Sequence, residues 1–319
     1  MGDDHRFTAR ARQRSFRMLR SSCAFALLPI LFGALIAIPD ASSAASCLTA
    51  QNVFVYPDTI PATNPAIETL SATFAEELQD PIGVCTEKEL AERSASAPIR
   101  NVFALGDRVA AEAARKFPSA DTIPMLVTTL PANTTRGVSI YVSPFAVIER
   151  VCSMFVDIEG VEFIHRSSVP NYVLVHLDEA AKRCSLKVTR TRVDTISEAA
   201  KAVENALRNP RKRVAVWFNR GVIELNADLL ITNIVRFSWS NGASVIAEDA
   251  EYIKRGILVG FFQDYRYVAR KAIALSRDKA KQGLVYAEMP KSALNKRTSN
   301  ALGLSRKSTM DETFDHVYK

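Results

Sequence analysis

Short β-branched runs and stretches with helical spacing alternate along most of this chain. The pattern is clearest over residues 213–276. Residues 213–218 form a run that is apolar after Arg213, which reads as a strand buried on both faces. It ends at the polar turn Asn219-Arg220-Gly221. Leu225, Leu229, Ile231, Val235 and Trp239 fall near helical spacing and predict a helix over about 224–238. Asn241-Gly242 follows, a pair suited to a left-handed helix end. Residues 243–247 then form a second buried strand. Two parallel strands joined by a helix make a βαβ unit, whose ligand sites lie at the carboxyl ends of the strands.

The alternation extends in both directions and predicts two lobes. In the first, strands are expected at 52–56, 82–86, 101–105 and 124–129, with helices at 65–78, 87–94 and 108–116. In the second, helices at 144–156, 171–184 and 197–208 alternate with strands at 161–165 and 186–192. A strand at 257–261 and a helix at 265–276 are assigned back to the first lobe. Residues 284–288 cross over again, and 292–302 form a last helix. The lobes thus comprise 46–137 with 257–283, and 138–256 with 284–304. Residues 305–319 read as a loose polar tail. Alternating elements imply parallel sheets covered on both faces, an α/β class with two doubly wound lobes joined by crossover strands.

Six arginines between Arg6 and Arg20 precede an apolar run over 23–39, shorter than the ~20 residues that span a bilayer comfortably. Ser42-Ser43-Ala44-Ala45 supplies small residues for cleavage. Residues 1–45 therefore read as an export signal and the protein as periplasmic. An uncleaved anchor and lipidation at Cys47 remain open. The whole chain carries 41 basic and 34 acidic residues. This surplus does not suggest a nucleic-acid partner, and the basic cluster at 208–213 reads as a solvated loop.

Export makes the cysteines informative, because an oxidising compartment permits disulfides. Cys152 and Cys184 fall on successive helices and form the better pair, with two buried free thiols as the alternative. Cys47–Cys85 is disfavoured. If strands 52–56 and 82–86 run in step, Cys85 lies near residue 55, and the segment before the first strand would have to fold back.

Several segments together resemble a known family. They are Val216-Trp217-Phe218-Asn219-Arg220, Asn241-Gly242-Ala243-Ser244-Val245, Lys254-Arg255-Gly256-Ile257-Leu258 and Asp264-Tyr265-Arg266-Tyr267-Val268-Ala269-Arg270. Asn101 to Ala110, Gly137-Val138-Ser139 and Asn300-Ala301-Leu302-Gly303-Leu304 add to them. The chain from 101 to 304 resembles the periplasmic substrate-binding proteins of ABC transporters, in the branch related to aromatic-amino-acid binding. The resemblance implies the type I periplasmic-binding-protein fold, an ABC permease and ATPase as partners, and capture of a small amino-acid-like solute between the lobes. The chain departs from the family at its loops: Asp107 replaces a hydroxyl residue, Thr128-Thr129-Leu130-Pro131 lacks an aspartate, and His165-Arg166-Ser167-Ser168 and Phe218-Asn219-Arg220-Gly221 are altered. A divergent clamp acting as a sensor or protein-interaction module is therefore the alternative.

A clamp of this kind binds with groups at strand ends and helix N-termini. The candidates are Gly106, Asp107, Thr128, Thr129, Phe218, Asn219, Arg220, Glu248, Asp249 and Phe261. Arg220 suits a ligand carboxylate in bidentate geometry. Asp107, Glu248 or Asp249 suits an ammonium group, and Phe261 or Trp217 an apolar side chain. Plainer roles compete: Asp107 as a helix cap, Trp217 as core, Glu248-Asp249 as a solvated turn. The proline-rich segment 57–65 either borders the cleft or forms a surface loop. No nucleotide-binding glycine motif, nucleophile elbow or metal-ligand spacing is present in the sequence, and His165 reads as a core or surface histidine. The expectation is a monomeric binding protein that is not an enzyme and uses no cofactor or metal.

Overall fold

The computed structural model describes residues 46–155, 158–208, 210, 213–303 and 314–319. The expected export segment lies outside the described residues, as does most of the expected polar tail. No helix among the described residues is long and apolar enough to cross a membrane.

The first lobe opens with β1 (Asn52–Tyr56), α1 (Pro65–Glu77), β2 (Ile82–Thr86), α2 (Glu87–Glu92), β3 (Asn101–Leu105), α3 (Asp107–Lys116), β4 (Asp121–Val127) and β5 (Arg136–Ser139). The second lobe continues with α4 (Pro144–Met154), β6 (Gly160–His165), α5 (Asn171–Arg183), β7 (Lys187–Arg192), α6 (Ile196–Arg208) and β8 (Val214–Phe218). It goes on through α7 (Arg220–Ile223), α8 (Ala227–Asn241), β9 (Ser244–Ala247), α9 (Ala250–Lys254) and β10 (Val259–Phe262). Then α10 (Tyr265–Arg277) and β11 (Gly283–Val285) return to the first lobe. The elements β12 (Lys291–Asn295), α11 (Lys296–Ala301) and β13 (His316–Tyr318) belong to the second.

The strand orders are β11-β5-β4-β3-β1-β2 and β13-β12-β10-β9-β8-β6-β7. Every ladder is parallel except β10–β12. Strand alternation sorts the core of the first lobe. Phe54 packs with Phe74, Phe103, Val268 and Ile273 under α1 and α10, while Val53 and Val55 join Val102, Val109 and Phe117 under α3. In the second lobe Trp217 and Phe218 fall into separate clusters for the same reason.

Local chemistry sets the helix ends. The Asn64 side chain accepts from Ala66 N ahead of Pro65, and Thr86 with Glu89 forms a reciprocal capping box. Gly242 closes α8 at φ 72°.

Five expectations are corrected. First, 257–261 does not join the first sheet. The short connection through α9 lays β10 beside β9 as a parallel neighbour, Val259 opposite Ile246. Second, 291–295 is a buried strand rather than helix, because β10 offers it an antiparallel ladder, Val259 opposite Leu294; only Lys296–Ala301 is helical. Third, the helix expected at 224–238 starts later and runs further, over Ala227–Asn241. The Asn226 side chain accepts from Leu229 N and starts α8 at Ala227, apart from the turn α7. Fourth, the end of the tail is not loose. Asp315 accepts from Ser292 N at 2.7 Å and Ser292 Oγ at 2.9 Å, which docks β13 on β12.

The fifth concerns Cys47. It is bridged to Cys85, with Cα atoms 5.5 Å apart. The preceding segment folds back in a turn in which Thr49 N and Ala50 N both donate to Ser46 O at 3.1 Å. Buried Arg93 holds the turn, donating to Cys47 O at 2.6 Å and Ala50 O at 2.8 Å. Gly83 gives the turn room to lie on β2, since a Cβ there would sit 2.9 Å from the Ala50 Cβ. This bridge occupies the sulfur that lipidation would need. The expected Cys152–Cys184 pair is also bridged, joining α4 to the end of α5.

An aromatic group seats the crossings. The Tyr172 hydroxyl lies 3.0 Å from Ser139 Oγ, and His176 Nδ1 lies 2.9 Å from the Tyr286 hydroxyl.

Candidate functional site

A cleft of about 550 Å³ lies between the carboxyl edges of the two sheets. Its wall begins at the residue following each of seven strands: Pro57 after β1, Gly106 after β3, Thr128 after β4, Ile140 after β5, Arg166 after β6, Asn219 after β8 and Glu248 after β9. The two sides differ in chemistry. The first lobe contributes Ile60, Ile67, Leu70, Leu105, Leu126 and Ile140, and the second contributes Arg166, Ser168, Asn219, Arg220, Glu224 and Glu248. Tyr141 and Tyr265 lie at the transitions between lobes.

Three backbone features shape the first-lobe wall. Gly106 takes φ 87° as it enters α3, a conformation side-chain-bearing residues rarely adopt. Asp107 ties β3 to β4: its carboxylate accepts from Thr128 N at 2.8 Å, Thr128 Oγ1 at 2.9 Å and Thr129 N at 3.4 Å. The β4–β5 register shifts between Met125 and Val127, and Leu126 takes φ 53° at this bulge. Leu126 lines the cleft there, a known use of bulges beside binding sites.

On the opposite wall Glu248 is 9% exposed. Its carboxylate accepts from Trp217 Nε1 at 2.9 Å, Asn219 Nδ2 at 3.0 Å and Arg220 N at 3.1 Å. Burial pushes its pKa up to about 7, outweighing the lowering effect of the three donors and of the Arg220 charge. Arg220 donates to Glu224 at 2.6 Å and lies 4.0 Å from Asp249. Burial opposes its charge, but these carboxylates prevail and raise its pKa. Asp249 caps α9 by accepting from Glu251 N at 2.9 Å. Burial also raises the Tyr141 hydroxyl.

Of the residues expected from the sequence, Gly106, Thr128, Asn219, Arg220 and Glu248 line the cleft. Asp107, Thr129 and Asp249 are not among the lining residues; Asp107 and Thr129 are exposed and bonded to each other, and Asp249 caps α9. Phe218 and Phe261 do not form an apolar wall. They are 0% and 1% exposed, because consecutive strand residues face the two buried sides of the sheet. Trp217 is core as well, with only its Nε1 turned to Glu248. The apolar wall comes instead from the first lobe, and the segment from Pro57 borders the cleft. His165 is buried, stacked on Phe163 with centroids 5.3 Å apart, and its Nδ1 lies 2.9 Å from Arg166 O. No cluster of metal-ligating side chains occurs among the described residues.

Sequence reasoning missed Ile140, Tyr141 and Arg166. A signal existed for Ile140 and Arg166, each being the first residue after a strand. Leu126 had none, since a bulge is invisible in an apolar run.

By sequence, no family model and no curated protein matches the chain. By structure, it is similar to the ligand-free, open form of a substrate-binding protein with adhesive properties from Clostridium difficile. That match has a TM-score of 0.57 at 13% identity and covers 84% of this chain and 98% of the other. An ABC domain in complex with L-Trp from Streptococcus pneumonia matches with TM-score 0.52 at 15% identity, covering 83% and 98%. A conserved domain protein from Vibrio cholerae matches with TM-score 0.52 at 12% identity, covering 84% and 99%. The two mostly parallel sheets are those of the type I periplasmic-binding-protein-like fold. At these identities the likeness establishes the fold alone; the aromatic-amino-acid branch rests on the sequence segments quoted above.

Proposed function

We propose that the chain is the substrate-binding component of an ABC-type uptake system, exported to the periplasm. In this reading it closes two lobes around a small polar solute and delivers it to a membrane permease driven by an ATPase. The observation that carries this is the wall built from the first residues after seven strands, four in one sheet and three in the other. In α/β folds this edge is where ligands bind. A cavity of this size suits a small solute with an apolar part. One neighbour called a substrate-binding protein and another called an ABC domain in complex with L-Trp agree with the reading.

Function as a clamp needs the lobes to move. The crossings after β5, after β10 and after β11 are the hinge positions, and ligand contacts with both walls favour the closed state. The sequence contains no catalytic motif, and we read the protein as a binder, monomeric and free of cofactors.

Thermal melting against amino acids, organic acids, short peptides and nucleosides tests the proposal. A ligand at 100 times its Kd stabilises by about 2.7 kcal/mol, or roughly 5 °C for a chain of this size. No shift across the panel from folded protein would turn the reading towards a clamp that binds another protein.

A further inference from the structure

The charges lining the cleft are Arg166, Arg220, Glu224 and Glu248. Three of them are already engaged. Arg220 and Glu224 neutralise each other at 2.6 Å, with Asp249 adjoining Arg220 at 4.0 Å. Glu248 is held by three N–H donors from Trp217, Asn219 and Arg220. Across the cleft, Asp107 is occupied by Thr128 and Thr129.

Arg166 differs. No carboxylate lies within salt-bridge distance of it among the described residues, and its Nε is buried without a hydrogen-bond partner. Its stem runs beside Gly221, where a Cβ would meet Arg166 Cδ at 3.4 Å. A guanidinium presents a planar fork that matches a carboxylate. An unsatisfied buried N–H is costly, and a ligand oxygen relieves the cost.

We infer that the ligand is a monocarboxylate with an apolar tail and no ammonium group. Its carboxylate sits on Arg166 and its tail lies along Leu105, Leu126 and Ile140. This rests on the proposed solute-capture role and specifies its ligand. A zwitterionic amino acid would bring its ammonium group to carboxylates that already accept N–H or O–H bonds or pair with Arg220, and those contacts would have to be shared or broken.

Isothermal titration calorimetry with matched pairs tests the inference: 4-methylvalerate against leucine, and 3-phenylpropionate against phenylalanine. In at least one pair the acid should bind ten-fold or more tightly than the amino acid. Arg166→Gln should weaken that acid ten-fold or more, with far-UV circular dichroism unchanged. An amino acid binding as tightly as its acid would overturn the inference and leave solute capture standing. Binding of none of these, nor of any compound in the melting panel, would overturn both. Should Arg166→Gln fail to fold, the matched pairs on the unaltered protein decide the matter.

Discussion

Replacing Glu248 with glutamine should remove one specific pH dependence from folding. Burial moves this carboxyl from 4.5 to about 7 in the folded protein. Between those values the folded chain retains a proton that the unfolded chain has released. Stability must then fall as pH rises through the window, and level off above it. At about 1.4 kcal/mol per pH unit, the loss is about 3 kcal/mol. Glutamine cannot titrate, so the wild-type minus variant difference in unfolding free energy should decline by that amount from pH 4.5 to 7.5. Asp194, Glu198, Glu288 and Asp315 are held below their usual range and tilt stability the other way at lower pH. They are common to both proteins and cancel in the difference. The absolute level of the variant is less informative, because the glutamine amide turns a donor towards Trp217 or Asn219. The assay is urea unfolding by tryptophan fluorescence at half-unit pH steps. A difference constant to within ~0.5 kcal/mol would refute the reasoning and show that the three donors fully offset burial.

Two further outcomes are expected. Changing Cys47 and Cys85 together to alanine opens a 38-residue loop. It should lower stability by up to about 4 kcal/mol, read as a shift in urea midpoint; an unchanged midpoint would mean that the Arg93 contacts alone hold the turn. Asp107→Ala should cost about 1–2 kcal/mol through loss of its bonds to Thr128. Asp107→Asn should recover part of this, and equal losses in the two variants would dissociate the cost from those bonds.

The pairing partners of segments were less legible than the segments themselves. The apolar run at 257–261 was plain, yet its sheet was not. Membership depended on the short helix α9, whose five residues are too few to show periodicity and which sets β10 beside β9. Residues 292–295 read as the start of the last helix, and the antiparallel ladder with β10 makes them strand instead. The Cys47–Cys85 bridge contradicted an extended-chain distance argument because Arg93, 46 residues away, captures the Cys47 carbonyl. Such a contact has no local signature.

What the sequence determined by itself was the α/β alternation and the edge of each sheet at which a site belongs. Both follow from periodicity and from the turn residues after strands, such as Asn219 and Glu248, which are local properties. Asn219, Arg220 and Glu248 were legible on that basis as candidates. Their roles were decided only in three dimensions. Phe218 and Phe261 turned into the core, and the Asp107 and Glu248 carboxylates accept bonds from neighbouring elements. Arg166, unremarkable in its loop, was left as the cleft charge with no carboxylate at ion-pair distance among the described residues and with its Nε unpaired. Whether a charged side chain is available depends on which other groups reach it, and folding alone sets those distances.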